Sequence, residues 1–239
     1  ENFTLFVKNT HSLLQGKKIA TTIYSPYIER FVVLFRSKKF APAWIEAFFD
    51  SMRSDLPKSK EWIIYQDEAA LAKYVFGSAE TIGLMMAKIL DLSEQSLIYA
   101  RALGAAMQHI NFIRDLQEDC QLRRQYLPTS HLKRFKLANF SQLDCSDETV
   151  QEKLVALIRF ELKLYQAKQK LAARGYAYIP YFSLVPIKTA ADLYLWTADR
   201  IAKNPLEVFK RKIKPSKLIV FWTLFKNIFI CQRYQKYGT

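Results

Sequence analysis

The residues best placed to do chemistry lie in one stretch, Gln108 to Pro128, QHINFIRDLQEDCQLRRQYLP. At about 100° per residue, Gly104, Gln108, Asn111, Asp115 and Asp119 share one stripe of a helix. Ala105, Ala106, Met107, Ile110, Phe112 and Ile113 flank that stripe with apolar side chains, so the acids are expected to face an internal cavity. Asp115, Glu118 and Asp119 form a DxxED cluster with two aspartates one turn apart. Mg²⁺ is held by one or two carboxylates plus phosphate oxygens and water, which suits such a pair on a cavity wall. An exposed acidic face is the plain alternative. The amides Gln108 and Asn111 weigh against it, because burying them unpaired costs roughly a few kcal/mol each. Arg114 and Arg124 flank the acids and match phosphate oxygens, or else form salt bridges to Glu118 and Asp119.

Other chemistries find less support. His11, His109 and His131 stand near no serine or cysteine that would make a nucleophilic site, and they read as structural or surface residues. No glycine-rich phosphate loop occurs. Cys120, Cys145 and Cys231 lack metal-binding spacing and read as free thiols of a reduced, cytoplasmic compartment.

Positioning such a stripe requires long helices, and composition favours them. The 239 residues are 50% hydrophobic with only six glycines, too apolar for disorder and too poor in turn residues for a many-stranded protein. One large domain over residues 1–239 is expected. Periodicity predicts a short helix before Ser25-Pro26, a buried helix over Tyr27–Arg36, and another from Ala41-Pro42 that carries Trp44, Ile45, Phe48, Phe49 and Met52 inward. A polar loop follows over 57–62. Gln66–Leu92 reads as one long helix in which Ala70, Tyr74, Gly77, Ser78, Thr81 and Met85 share a face of mostly small residues. That face permits either close helix packing or a ligand cavity. Ser93-Glu94 caps a helix reaching about Cys120, and Glu148–Arg174 forms the next. Ile179-Pro180 and Val185-Pro186 are expected to bracket a bend before a helix over Ile187–Ala202.

Lys and Arg total 36 against 22 acids, a formal charge of +14 and a pI near 9.6, which points to an anionic partner. The cations thicken over Lys203–Lys217 without a zinc-finger, RNP-like or basic-zipper pattern, so nucleic acid is not expected. Beyond them, Leu218–Cys231 is an apolar segment broken by Lys226 and Asn227. It is too short and polar to span a bilayer, and it reads first as a final core helix, second as an interfacial membrane helix.

With its amides and trailing YLP, the motif resembles that of the squalene/phytoene synthase family, QxxNxxRDxxED followed by GRxYLP. It stands here as Gln108, Asn111, Arg114, Asp115, Glu118 and Asp119, then Arg124, Tyr126, Leu127 and Pro128. Further matches are Met52 and Asp55, then Leu71, Tyr74, Ala79 and Gly83, then Leu103-Gly104, Tyr194, Arg211 and Lys217. The resemblance implies an all-α isoprenoid synthase-type helical bundle around a central hydrophobic cavity. It implies head-to-head joining of two prenyl diphosphates, farnesyl or geranylgeranyl, through a cyclopropyl diphosphate intermediate, giving a squalene- or phytoene-type product. It also implies Mg²⁺, with Mn²⁺ as substitute, on Asp115, Glu118, Asp119 and Asn111, and NADPH only for a squalene-forming member. Tyr74 and Tyr194 would line the reacting centre with Asp115 and Asp119. Gln108, Asn111, Arg114, Arg124, Tyr126, Arg211 and Lys217 would bind substrate. Work on prenyl substrates implies a peripheral place at a membrane surface.

Two departures accompany the match. Residues 1–107 contain no DxxxD or DxxED, and the family's first acidic motif would precede Glu1. The chain is therefore expected to be N-terminally incomplete, with that motif upstream or on a partner chain. The alternative is a non-catalytic relative acting as an assembly or lipid-binding factor. Glu80 stands where the family has glycine, and Gln121, Leu122 and Arg123 vary the link before Arg124.

Overall fold

A computed structural model describes residues 2–56 and 61–235. The expected loop over 57–62 thus lies in part outside the described residues. The chain is an all-α bundle: α1 (Asn2–Leu14), α2 (Ser25–Ser37), α3 (Pro42–Ser54), α4 (Glu68–Val75), α5 (Thr81–Ile89), α6 (Leu97–Arg114), α7 (Leu116–Gln121), α8 (Thr129–Arg134), α9 (Glu148–Ala173), α10 (Tyr181–Lys203) and α11 (Lys217–Gln235). Among the described residues the only strands are two-residue segments, β1 (Ile63–Ile64) and β2 (Arg124–Gln125), paired in parallel.

Helix α6 is the axis of the bundle. Its Ala106, Ile110 and Ile113 are fully buried against Leu154, Leu157, Ile158 and Tyr165 of α9. Each large aliphatic side chain buried this way contributes roughly 1.5–3 kcal/mol. On the opposite side the backbones close up. A Cβ on Gly104 would lie 2.4 Å from the Ala79 carbonyl oxygen, so no larger residue fits that crossing.

The single helix expected over Gln66–Leu92 is interrupted. Asp67 caps α4 by accepting from the Ala70 amide at 2.8 Å. A π-helical turn, Phe76–Glu80, then joins α4 to α5. The face of small residues divides accordingly. Tyr74, Gly77, Thr81 and Met85 are buried, with Gly77 so close to α3 that a Cβ would lie 2.0 Å from the Ala47 carbonyl oxygen. Ser78 instead faces a cavity, together with Ile82, Gly83 and Met86. Both readings of that face hold, on adjacent sides of one rod.

Pro186 does not bend the chain ahead of a helix but sits at the sixth position of α10. An amide there would have bonded the Phe182 carbonyl, so α10 forgoes one backbone hydrogen bond in its second turn. The motif helix also does not run unbroken to Cys120. It ends at Arg114 and resumes at Leu116.

The histidines behave as expected of structural residues. Glu161 of α9 is 1% exposed and accepts from His109 Nε2 at 2.8 Å and His131 Nδ1 at 2.6 Å, while His131 Nε2 donates to Glu68 at 2.7 Å. Lys168 donates to His109 Nδ1 at 2.8 Å, which leaves the proton of a neutral His109 on Nε2. Burial raises the Glu161 pKa, but hydrogen bonds and charge from the two histidines outweigh it and bring the group to about 2. Helices α6, α8 and α9 meet at this one carboxylate, and α4 joins them through His131. His11, near the surface, pairs with Glu46.

Candidate functional site

The motif keeps its acids on one side despite the break in the helix. Asp115 has φ −99° and ψ 14°, yet its amide donates to the Asn111 carbonyl at 2.8 Å and its carbonyl accepts from Asp119 at 2.9 Å. Gln108, Asn111, Asp115 and Asp119 therefore follow one another down a single edge. Below Gln108 lies a cavity of about 500 Å³, within the usual range for small-molecule sites, roughly 300–1,000 Å³. Ile82, Met86, Leu103, Met107 and Ile187 make its wall almost wholly apolar, with Gln108 and Ser78 as polar points. Asp115 and Asp119 lie about two and three turns beyond Gln108, outside the cavity lining.

Each acid has a different environment. Arg114 grips Asp115 with two hydrogen bonds of 2.8 and 2.6 Å. Lys212 lies 3.0 Å from the same carboxylate and 2.6 Å from Glu118. Burial raises the Asp115 pKa, but these two cations more than compensate and hold it below the ordinary value. Asp119 has no such partner. Burial first, then the charges of Asp115 and Glu118, push it up to about 7 against the weaker pull of Arg124 and Lys212. Asn111 Oδ1 is buried without a hydrogen-bond donor. The half-buried Asp119 carboxylate driven toward neutrality and the orphaned Asn111 amide oxygen, about two turns apart on one edge, mark a candidate cation site. These groups fit Mg²⁺ in chemistry. Among the described residues, however, no three His, Cys, Asp or Glu side chains form a complete metal cage.

The expected substrate-binding cations divide. Arg211 is 74% exposed and bonds Glu207, one turn back, at 2.6 Å. Lys217 is exposed at the start of α11. Neither touches the acids. Lys212 does, from the segment between Phe209 and α11, and it was not singled out from sequence because nothing local distinguishes it from its basic neighbours. Arg124 donates to the Asp55 carbonyl at 2.9 Å and acts on Asp119 through charge.

The two tyrosines expected at a reacting centre belong to one hydrophobic cluster but have different partners. Tyr194 carries the Arg114 guanidinium 5.9 Å from its ring centre, which places it beside the acids. Tyr74 is buried in an aromatic group with Tyr65, Phe112 and Tyr126. Its hydroxyl donates to Asp55 Oδ2 at 2.8 Å, and that of Tyr126 donates to Oδ1 at 3.3 Å. Burial raises both phenols, Tyr126 to about 12. Asp55 is thus the organising carboxylate of this second polar cluster, a role its place at the end of α3 does not advertise.

Two residues that vary the motif, Glu80 and Arg123, also have structural accounts. Glu80 accepts from Arg101 at 2.6 and 2.9 Å. Arg123 adopts φ +55°, the left-handed conformation that glycine takes most easily.

Comparison with known proteins gives a consistent picture. The family described as squalene/phytoene synthase matches residues 13–218. The chain is 28% identical to a 15-cis-phytoene synthase of Synechocystis sp., over 90% of this chain and 72% of that protein. It is 31% identical to a phytoene synthase of Arthrospira platensis, over 72% of this chain and 59% of that protein. Its fold is similar to that of a dehydrosqualene synthase crystallised with a ligand, with a TM-score of 0.77 at 22% identity, covering 95% of this chain and 77% of the other.

Proposed function

Because the chain belongs to the squalene/phytoene synthase family, we propose that it contributes the second acidic half-site and the chain-binding cavity of an enzyme joining two prenyl diphosphates head to head. The observation that carries the proposal is the edge formed by Gln108, Asn111, Asp115 and Asp119, whose first member lines an apolar cavity.

In this reading Asn111, Asp115 and Asp119, with Glu118 at the rim, hold Mg²⁺ or Mn²⁺ and Gln108 orients the diphosphate. The metal supplies neutralisation of the charge that develops on the departing diphosphate. Arg114 fixes the Asp115 carboxylate, and Lys212 and Arg124 add positive charge where that leaving group gathers negative charge. The apolar wall would keep water from the allylic cation, so that the double bond of the second prenyl chain captures it and the adduct closes to a cyclopropyl diphosphate by losing a proton. Farnesyl or geranylgeranyl substrates give C30 or C40 hydrocarbons, and NADPH enters only if a squalene-type product forms. The chain spans 59–72% of the two cyanobacterial relatives. We propose that the facing acids needed to complete the metal site come from a further segment or a partner polypeptide. Substrates of this class dissolve in bilayers, which argues for peripheral work at a membrane surface.

The test is incubation of the chain, together with the acidic segment or partner that completes it, with Mg²⁺ and labelled farnesyl or geranylgeranyl diphosphate. A C30 or C40 product that disappears with Asp119→Asn is expected. Absence of such product, with diphosphate binding indifferent to Asp119→Asn, overturns the proposal.

A further inference from the structure

Helix α11 is built inside out. Its inward stripe holds Thr223, Asn227 and Cys231, of which Asn227 and Cys231 are fully buried. The Asn227 amide donates to Asp192 at 2.8 Å and Thr189 at 3.3 Å on α10. Its outward face holds Leu218, Phe221, Trp222, Phe225 and Phe229, between 46 and 71% exposed. Their spacing of i, i+3, i+4, i+7 and i+11 is that of one helix side. A helix on a protein surface normally shows the reverse arrangement. The expectation of a core helix therefore fails: the sequence carries the apolar residues of one, but the fold spends the polar stripe on packing. The rings contact one another along the outer face, as Phe225 does Phe229 at 5.2 Å. Phe182, 89% exposed, stands beside Tyr181, whose hydroxyl bonds the Ile228 carbonyl at 2.8 Å.

Charge narrows what this face can meet. No Asp or Glu follows Glu207 in the sequence. Lys210 and Lys214 before the helix and Lys217 at its first position are exposed and make no ion pair among the described residues, while exposed Lys226 and Arg233 lie farther along it. Two copies pairing through α11 would bring two such basic segments together without an opposing acid. An anionic surface with an apolar interior suits both the cations and the rings. Spanning does not, since no helix of the described residues is long and apolar enough to cross a membrane.

We propose that α11 lies along an anionic bilayer, with Phe221, Trp222, Phe225 and Phe229 in the acyl boundary and the lysines among the headgroups. This gives residues to the membrane-surface location proposed above and rests on that part of the reading alone. Cys231 and Tyr234 pack in the same apolar cluster as Ile187, a wall residue of the cavity, so the helix joins the lipid surface to the chain-binding space.

The test is sedimentation of the chain with vesicles of phosphatidylcholine alone or mixed with phosphatidylglycerol, without Mg²⁺ or prenyl substrate. Binding to mixed vesicles should exceed that to neutral ones by about tenfold or more. It should fall by a similar factor in the triple variant Phe221→Ser, Trp222→Ser, Phe225→Ser, with unchanged helical circular dichroism. Brominated lipid should quench the fluorescence of the wild type, and the milder Trp222→Phe should remove most of that quenching. Equal vesicle binding by the triple variant overturns the proposal, as does quenching that survives Trp222→Phe. So does a wild-type protein that ignores both vesicles, or one that forms a dimer which the triple variant abolishes. Loss of product formation with vesicle binding intact counts against the chemistry and not against α11.

Discussion

Asp119 allows the site to be tested through stability, without any turnover. Its pKa stands at about 7 in the folded chain against an ordinary 3.8. A group raised in this way contributes stability that is fully present below pH 3.8 and is lost as the pH rises through about 7. The shift of about 3 units corresponds to about 4 kcal/mol at 1.36 kcal/mol per unit. The carboxylate is partly open to solvent, and screening reduces this to about 1–2 kcal/mol. Asp119→Asn keeps the shape and removes the charge, so the variant should be more stable than wild type by that amount at pH 8. For a chain of this size the gain is about 2–8 °C in melting temperature. It should shrink by more than half at pH 5, where the wild-type group is protonated in the folded state. Mg²⁺ with inorganic pyrophosphate should reverse the order at pH 8 by stabilising wild type alone. The assay is a thermal melt of both proteins across this pH range, with and without those ligands. A variant less stable than wild type at pH 8 without ligand would refute the reasoning, because Asp119 would then be satisfied by the chain itself.

Three further outcomes follow from other contacts. Lys212→Met removes the cation that occupies Asp115 and Glu118, so Mn²⁺ binding followed by water relaxation should tighten about threefold or more; unchanged affinity would mean that Lys212 does not compete with metal. Glu161→Gln should cost about 3 kcal/mol in urea unfolding at pH 7, and the cost should fall to about 1 kcal/mol at pH 3, because the stabilising charge is lost between pH 4.5 and about 2; a cost independent of pH would contradict this assignment. Arg123→Gly relieves a left-handed backbone and should stabilise the chain by about 1 kcal/mol in the same assay; a destabilised variant would show that the side chain matters more than the conformation.

Sequence periodicity found most of the helices because their apolar residues recur at helical spacing, and the acids were legible because four residues of one edge fall within twelve positions. What it missed depends on distance or on a reversal of pattern. Lys212 reaches Asp115 across 97 positions and shares its composition with Arg211, which instead closes a local pair with Glu207. Asp55 acquires its role only when Tyr74 and Tyr126 converge on it from separate elements. Pro186 reads as a stop, yet it is tolerated one turn and a half into α10. Helix α11 misleads any argument from apolar content, since its two buried hydrogen bonds from Asn227 decide which side faces the protein.

The wide turn at Phe76–Glu80 acts as a phase shifter. A single surplus residue in an otherwise α-helical rod offsets everything after it by roughly 100°. Tyr74, upstream, is thereby aimed at Asp55, while Ser78, within the turn, and Ile82, downstream, face the cavity. Deleting one residue there would restore an ordinary helix and turn Ile82, Gly83 and Met86 away from the cavity relative to Tyr74, although no side chain of the tyrosine cluster or of the cavity wall had been altered. Chain length within that turn is therefore a tuning parameter for how the cavity wall is oriented relative to the tyrosine cluster.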